Sequence, residues 1–192
     1  MMTLGWALDE DLPISFIAAR SRGPARSGVR LDWLVVHTTE SSEAPGTALA
    51  VAKWFAGPQA PKASAHYVID PGEVVQCVHL DDTAWAAPGA NSRGIHLEHC
   101  GRAAQTPEQW ADEASAAMLA RSARLAAQLA KQFDIPVRWI NSSSLRSGER
   151  GFTGHVDVTE AFSHGQGHTD PGPNFPWPRY LEMVAEELAK LA

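Results

Sequence analysis

Residues 31–37 (LDWLVVH) form a nearly continuous apolar run, and the polar residues Thr38, Thr39 and Glu40 follow it directly. An apolar run of this length, without regular alternation, is typical of a strand buried on both faces of a parallel or mixed sheet. Such a sheet needs helices on its faces. The run therefore predicts an α/β fold, with the first functional side chain, His37, where the strand ends.

The next segments alternate between helix and strand patterns. Residues 47–55 are rich in alanine and predict a short helix that Gly57 and Pro58 end. Residues 64–70 and 73–80 are rich in strand-forming side chains and are separated by Pro71-Gly72, which predicts a hairpin.

Residues 93–99 (RGIHLEH) alternate apolar and polar side chains, as a strand does. His96 and Glu98 share one face, and Ile95 and Leu97 share the other. A polar face on a predicted core strand indicates a functional role for that face.

The C-terminal half contains two predicted helices. The longer runs from Thr106 to Phe133, with Thr106 as the N-cap and Gln109 completing a capping box. Its Met and aromatic stripe is typical of core packing. Residues 136–140 predict a further strand, residues 141–151 a loop, and Pro178 begins the last helix.

Length and charge limit the domain organisation and the partners. A chain of 192 residues that is 44% hydrophobic predicts a single domain, here residues 31–192, preceded by an irregular arm over residues 1–30. The net charge of -6 argues against nucleic acid or an anionic membrane as a partner. No stretch approaches the roughly 20 apolar residues that span a bilayer.

The N-terminus and the cysteines indicate where the protein is made. The first 16 residues lack a basic segment followed by an apolar one, so we expect no signal peptide. Cys77 and Cys100 lie in apolar, alternating stretches and are expected to be buried free thiols rather than a disulfide.

Three side chains that ligate metals occur at separated positions. His37, His155 and Asp170 would give zinc two imidazoles and one carboxylate, leaving the open position that a catalytic zinc site needs. Spacing alone leaves alternatives open: His37 as a hydrogen-bonded strand end, and His155 and Asp170 as residues that stabilise loops. The other histidines have no partner fixed by the sequence and are expected to be structural or exposed; they are His66, His79, His96, His99 and His164.

A series of motifs resembles one known family. LVVHTTE, SAHYVIDPGEVVQ, TAWAAPGANSRGIHLEHCG, FTGHVDV and HTDPGPNFPW occur in the order seen in the type 2 N-acetylmuramoyl-L-alanine amidases and peptidoglycan recognition proteins. The resemblance covers roughly residues 31–185. HTDPGPNFPW in particular is similar to phage endolysin amidase domains. The implied fold is a single α/β domain with a central mixed sheet flanked by helices.

The resemblance also implies roles for single residues. His37, His155 and Asp170 would be the zinc ligands and Glu98 the general base. His168 stands where the family often has lysine, and would assist the oxyanion with weaker or protonation-dependent charge. Either Trp54 or Tyr67 would match the family's aromatic residue near the first helix.

The implied function is zinc-dependent hydrolysis of the lactyl–L-alanine amide of peptidoglycan, by a monomer that uses neither nucleic acid nor a membrane. A phage endolysin would be made in the cytoplasm and reach the cell wall through a holin. The alternatives are a cytoplasmic amidase that recycles anhydromuropeptides, a peptidoglycan-binding module without catalysis, and a structural protein whose histidines are accidental.

Overall fold

The computed structural model of the protein describes residues 12–162 and 167–191. The strands of this part are β1 (Ile14–Phe16), β2 (Gly23–Ala25), β3 (Trp33–Thr38), β4 (Tyr67–Ile69), β5 (Val74–Gln76), β6 (Asp82–Thr83), β7 (Gly94–His99) and β8 (Gly151–Gly154). The helices are α1 (Thr47–Ala56), α2 (Pro107–Trp110), α3 (Glu113–Phe133), α4 (Ser142–Arg146), α5 (His155–Phe162) and α6 (Trp177–Lys190).

A six-stranded mixed sheet forms the centre, in the order β1-β5-β4-β7-β3-β8. Strand β3 pairs in parallel with both β7 and β8, and β4 pairs in parallel with β7. The hairpin of β4 and β5 is antiparallel, as predicted. Helices flank the sheet, so the predicted α/β class is confirmed.

Strand β3 is buried on both faces, as its apolar run predicted. Leu34 and Val36 belong to the large core cluster that includes α3 and α6, whereas Trp33 and Val35 belong to a second cluster with residues of α4 and α5. Side chains alternate along a strand, so His37 points to the same face as Trp33 and Val35. The second cluster thus supports the sheet face that carries His37.

The expectation of an irregular N-terminal arm was wrong for part of residues 12–30. Strand β1 pairs in parallel with β5, and β2 pairs in antiparallel with β6, while residues 1–11 lie outside the described part. Each strand has only three residues, too few to produce a periodic pattern. Their hydrogen bonds come from segments about 60 residues away, which local sequence does not reveal.

The predicted helix from Thr106 to Phe133 is interrupted. The capping box of Thr106 and Gln109 is present, but α2 ends at Trp110 and α3 begins at Glu113. The side chain of Asp112 accepts a hydrogen bond from the backbone N–H of Ser115 and caps the second helix. A capping aspartate competes with the helical hydrogen bonds around it, which explains the break.

Two further predictions, for residues 136–140 and 141–151, were wrong. Residues 136–140 do not form a strand; they contribute an isolated bridge from Trp139 to Phe152. Residues 141–151, which were predicted to form a loop, contain α4, which Asn141 caps, and the first residue of β8. In contrast, α1 and α6 lie close to their predicted positions.

Cys77 and Cys100 are both buried free thiols, as predicted. Among the helices of residues 12–162 and 167–191, none combines the length and apolar character needed to cross a bilayer.

Candidate metal centre

His37 lies near the C-terminal end of β3, the central strand of the site. In the parallel register it lies opposite Glu98 of β7. Residues paired directly across a sheet point to the same face, so both side chains reach one side of the sheet. Both line a single cavity there.

His155 and Asp170 come from the segment beyond β8. His155 is the first residue of α5, directly after Gly154, and not part of a loop. The backbone N–H of Val156 donates to the carbonyl of Asp170 at 2.9 Å, which joins the two segments. A Cβ at Gly154 would lie 2.7 Å from Cδ of Pro171, so only glycine allows this approach.

The three predicted ligand residues converge. Nδ1 of His37 lies 3.1 Å from Nδ1 of His155 and 3.1 Å from Oδ2 of Asp170, and Nδ1 of His155 lies 3.3 Å from the same oxygen. All three residues are buried. Each therefore offers one ligand atom to a common point.

The protonation states of His37 and Asp170 suit a cation. Burial lowers the pKa of His37, against the opposing effect of its hydrogen bond to Asp170. Burial would raise the pKa of Asp170, but the hydrogen bonds to His155 and His37 outweigh it and hold that pKa well below its usual range. At neutral pH the group thus contains a neutral His37 imidazole and an ionised carboxylate, the forms that bind metals.

The spacing of the three atoms fits a tetrahedral ion. Zinc bonds to nitrogen and oxygen of about 2.0–2.2 Å would separate tetrahedral ligands by about 3.3–3.6 Å. The observed separations of 3.1–3.3 Å are close to these values. Two imidazoles and one carboxylate are also a donor set that zinc favours in catalytic sites.

Glu98 has the properties of a base beside this group. Its Oε2 is buried and has no hydrogen-bond partner among the described residues. Burial, with smaller effects of Asp170 and Glu40, raises the pKa of Glu98 to about 8. A carboxyl group whose pKa lies near the working pH can both accept and release a proton.

His168 lies against the same group. Its ring stacks on His155 with centroids 3.8 Å apart, and its Nδ1 is 3.5 Å from Oδ1 of Asp170. Its side chain is 60% exposed, so the ring faces the solvent side of the cavity.

The cavity measures about 240 Å³, and aromatic side chains form part of its wall. Trp54 is 54% exposed and Trp85 is 38% exposed, and both line the cavity. Tyr67 is fully buried in the core, so Trp54 is the aromatic residue that faces the site. No sequence pattern indicated a role for Trp85, because an isolated tryptophan carries no signal of its position.

The remaining histidines of the described residues are buried in the fold or exposed, as the sequence predicted. His79 is exposed and stacks on Phe16, and His66, His96 and His99 are buried. His164 lies outside the described residues. The sequence did not predict that His96 contacts His37 directly, at 3.0 Å between ring nitrogens.

Comparison with known proteins places this fold and site in a family. The profile of a family described as N-acetylmuramoyl-L-alanine amidase matches residues 27–173, well over half of the chain. The chain belongs to the N-acetylmuramoyl-L-alanine amidase family. N-acetylmuramoyl-L-alanine amidase A of Achromobacter lyticus is similar to this amidase, with 33% identity over 160 residues, 79% of this chain and 81% of the relative.

Solved structures show the same fold at lower identity. The Staphylococcus aureus hydrolase AmiA, solved in complex with its ligand, has a TM-score of 0.68 at 19% identity, covering 92% of this amidase and 84% of that chain. A mutant endolysin from Bacillus subtilis has a TM-score of 0.61 at 18% identity, covering 90% and 99%. The predicted family, fold and enzyme class are therefore confirmed.

Proposed function

We propose that this amidase is a zinc enzyme that hydrolyses the bond between the lactyl group of N-acetylmuramic acid and L-alanine in bacterial peptidoglycan. The observation that carries the proposal is the convergence of His37, His155 and Asp170 on one point, with ligand atoms 3.1–3.3 Å apart. These three residues would hold the ion.

A zinc ion held there would supply Lewis acidity to the amide carbonyl and to the attacking water. Glu98, whose side chain lines the cavity, accepts a proton from that water. The water oxygen then bonds to the carbonyl carbon. When the carbon–nitrogen bond breaks, Glu98 returns the proton to the amine of L-alanine.

His168 assists the negative charge that develops on the carbonyl oxygen. Its ring is fixed by stacking on His155 and lies at the cavity, where one N–H donates to that oxygen. Trp54 and Trp85, which line the cavity and are partly exposed, offer flat apolar surfaces for the sugar or the peptide of the substrate.

The biological setting that we propose is phage lysis. The segment HTDPGPNFPW is similar to phage endolysin amidases, and an endolysin is among the structural relatives. The protein would be made in the cytoplasm, act as a monomer and reach the wall after release through a holin.

The metal and the reaction are tested together. The wild-type protein should bind one zinc per chain and release peptides with a free L-alanine amino terminus from peptidoglycan. Asp170→Asn should lose both the zinc and the product, because it removes the carboxylate ligand. Asp134→Asn, at a fully exposed aspartate, is the matched control and should keep both.

Two results would contradict the proposal: full zinc occupancy in Asp170→Asn, or wild-type products without new alanine amino termini.

The proposed role in phage lysis has its own test, in which the wild-type protein is given intact cell walls and soluble anhydromuropeptides. Cleavage of intact walls supports the endolysin, whereas cleavage of soluble fragments alone supports a recycling amidase.

A further inference from the structure

His96 lies directly behind His37, on the side away from His155 and Asp170. Nε2 of His37 and Nδ1 of His96 are 3.0 Å apart, and both side chains are almost completely buried. The two ring planes are tilted by 47°, with centroids 5.3 Å apart. The contact is therefore an edge hydrogen bond between imidazoles and not a stacking contact.

The direction of this hydrogen bond follows from the proposed metal site. If Nδ1 of His37 faces a cation, it carries no proton, and the proton of the neutral ring must be on Nε2. Nε2–H then donates to Nδ1 of His96. His96 is consequently the acceptor.

His66 holds the backbone and one ring face of His96, whereas Nε2 of the His96 ring has no hydrogen-bond partner among the described residues. The backbone N–H of His96 donates to Nδ1 of His66 at 3.0 Å, and the two rings are nearly parallel, with centroids 5.6 Å apart. Arg26 lies beyond His66 and donates to the carbonyls of Leu80 and Gly94. A Cβ at Gly94 would come within 3.2 Å of the His96 ring, so this glycine leaves the ring its space.

The other imidazole of the site has no such support. Nε2 of His155 is buried and has no hydrogen-bond partner among the described residues. Of the two candidate imidazole ligands, His37 is thus the one whose far nitrogen contacts an acceptor side chain.

We propose that His96 is a positioning residue of the metal centre. By accepting the hydrogen bond from His37 it fixes the tautomer and the ring orientation that point Nδ1 of His37 at His155 and Asp170. The proposal rests on the proposed zinc site. Removing an acceptor in this role typically lowers metal affinity by about 10–100-fold, because the free ligand then samples other orientations and tautomers.

Zinc affinity measured by competition with a chromophoric chelator tests the role of the acceptor atom. His96→Leu fills the space without an acceptor and should weaken zinc binding about 10–100-fold. His96→Asn places an amide oxygen near the position of Nδ1 and should stay within a few-fold of wild type. His79→Leu, at an exposed histidine, is the control and should bind zinc as wild type does.

Chemical denaturation of the metal-free proteins separates positioning from packing. Loss of affinity in His96→Leu together with rescue in His96→Asn, both folded, supports the proposal. It is overturned if His96→Leu binds zinc as tightly as wild type, or if His96→Asn is as weak as His96→Leu. If the wild type binds no zinc, the proposed metal site itself fails, which is a different result.

Nuclear magnetic resonance of the zinc-loaded wild type gives an answer that needs no variant. A scalar coupling between Nε2 of His37 and Nδ1 of His96, across the hydrogen bond, is expected, with the proton on His37. A proton on Nδ1 of His96, or no coupling while zinc is bound, would overturn the proposal.

Discussion

Glu98 lies directly opposite His37 in the parallel register of β7 and β3. The pairing brings the Glu98 carboxylate to the same cavity as the three candidate ligands. The sheet itself therefore sets the spacing between the proposed base and the proposed metal centre.

Glu98→Gln should keep the zinc but lower the rate of amide hydrolysis by about 10²–10⁴-fold, because the amide cannot accept the proton of the water. Zinc content and the release of alanine amino termini are measured on the same samples. Glu186→Gln, at an exposed position of α6, serves as the control. Near wild-type turnover in Glu98→Gln would remove Glu98 from the mechanism.

His168→Ala should bind zinc normally and hydrolyse the substrate about 10²-fold more slowly, since a donor to the oxyanion is lost. His168→Lys should recover much of that rate, because lysine carries a permanent positive charge. Turnover at saturating substrate measures both. Unchanged turnover in His168→Ala would assign the residue to the scaffold.

Gly172→Ala should destabilise the fold and weaken zinc binding. Gly172 lies two residues after Asp170 and has a φ of 92°. A Cβ at this position would collide with the carbonyl of Ala103. Gly148 has a similar φ of 80° but open space around it, so Gly148→Ala isolates the backbone strain, about 1–2 kcal/mol. Urea unfolding should give a larger loss for Gly172→Ala; equal losses would contradict the collision.

Acid should destabilise the protein through His99. Burial lowers the pKa of His99 from 6.5 to about 4. Between pH 6.5 and about pH 4, His99 is protonated in the unfolded chain but neutral in the folded chain. The free energy of unfolding therefore falls as the pH is lowered through this window. The limit for one group is about 1.4 kcal/mol per pH unit.

The measurement is urea unfolding from pH 7 to pH 4 with a chelator present, so that metal release does not contribute. His99→Gln should lose less stability over this window than wild type. Parallel curves for the two proteins would show that His99 does not contribute.

Both cysteines should resist thiol reagents in the folded protein. Burial raises the pKa of Cys77 and of Cys100 to about 12, so almost no thiolate exists at pH 8. A chromogenic disulfide reagent should detect two thiols only after denaturant is added. Rapid reaction of either thiol in the native protein at pH 8 would contradict this.

The sequence by itself determined the parts of the fold that have strong local patterns. Strand β3 follows from its apolar run, and the helix start at Thr106 follows from its capping box. Helix α1 follows from its alanine-rich composition before Gly57 and Pro58, and α6 from Pro178. The motifs also identified His37, His155 and Asp170, because their order along the chain resembles one family. The strand and helix patterns are visible in the sequence because each depends on neighbouring residues.

Only the tertiary structure decided how distant segments meet. His37 is 118 positions from His155 and 133 from Asp170, and nothing local reports their separation of 3.1 Å. Strand β1 forms because β5 supplies its hydrogen bonds, and His96 acquires its contact with His37 because β7 pairs beside β3. The physical reason is the same in each case: pairing and packing energies come from residues far away in the chain, while patterns report only what is near.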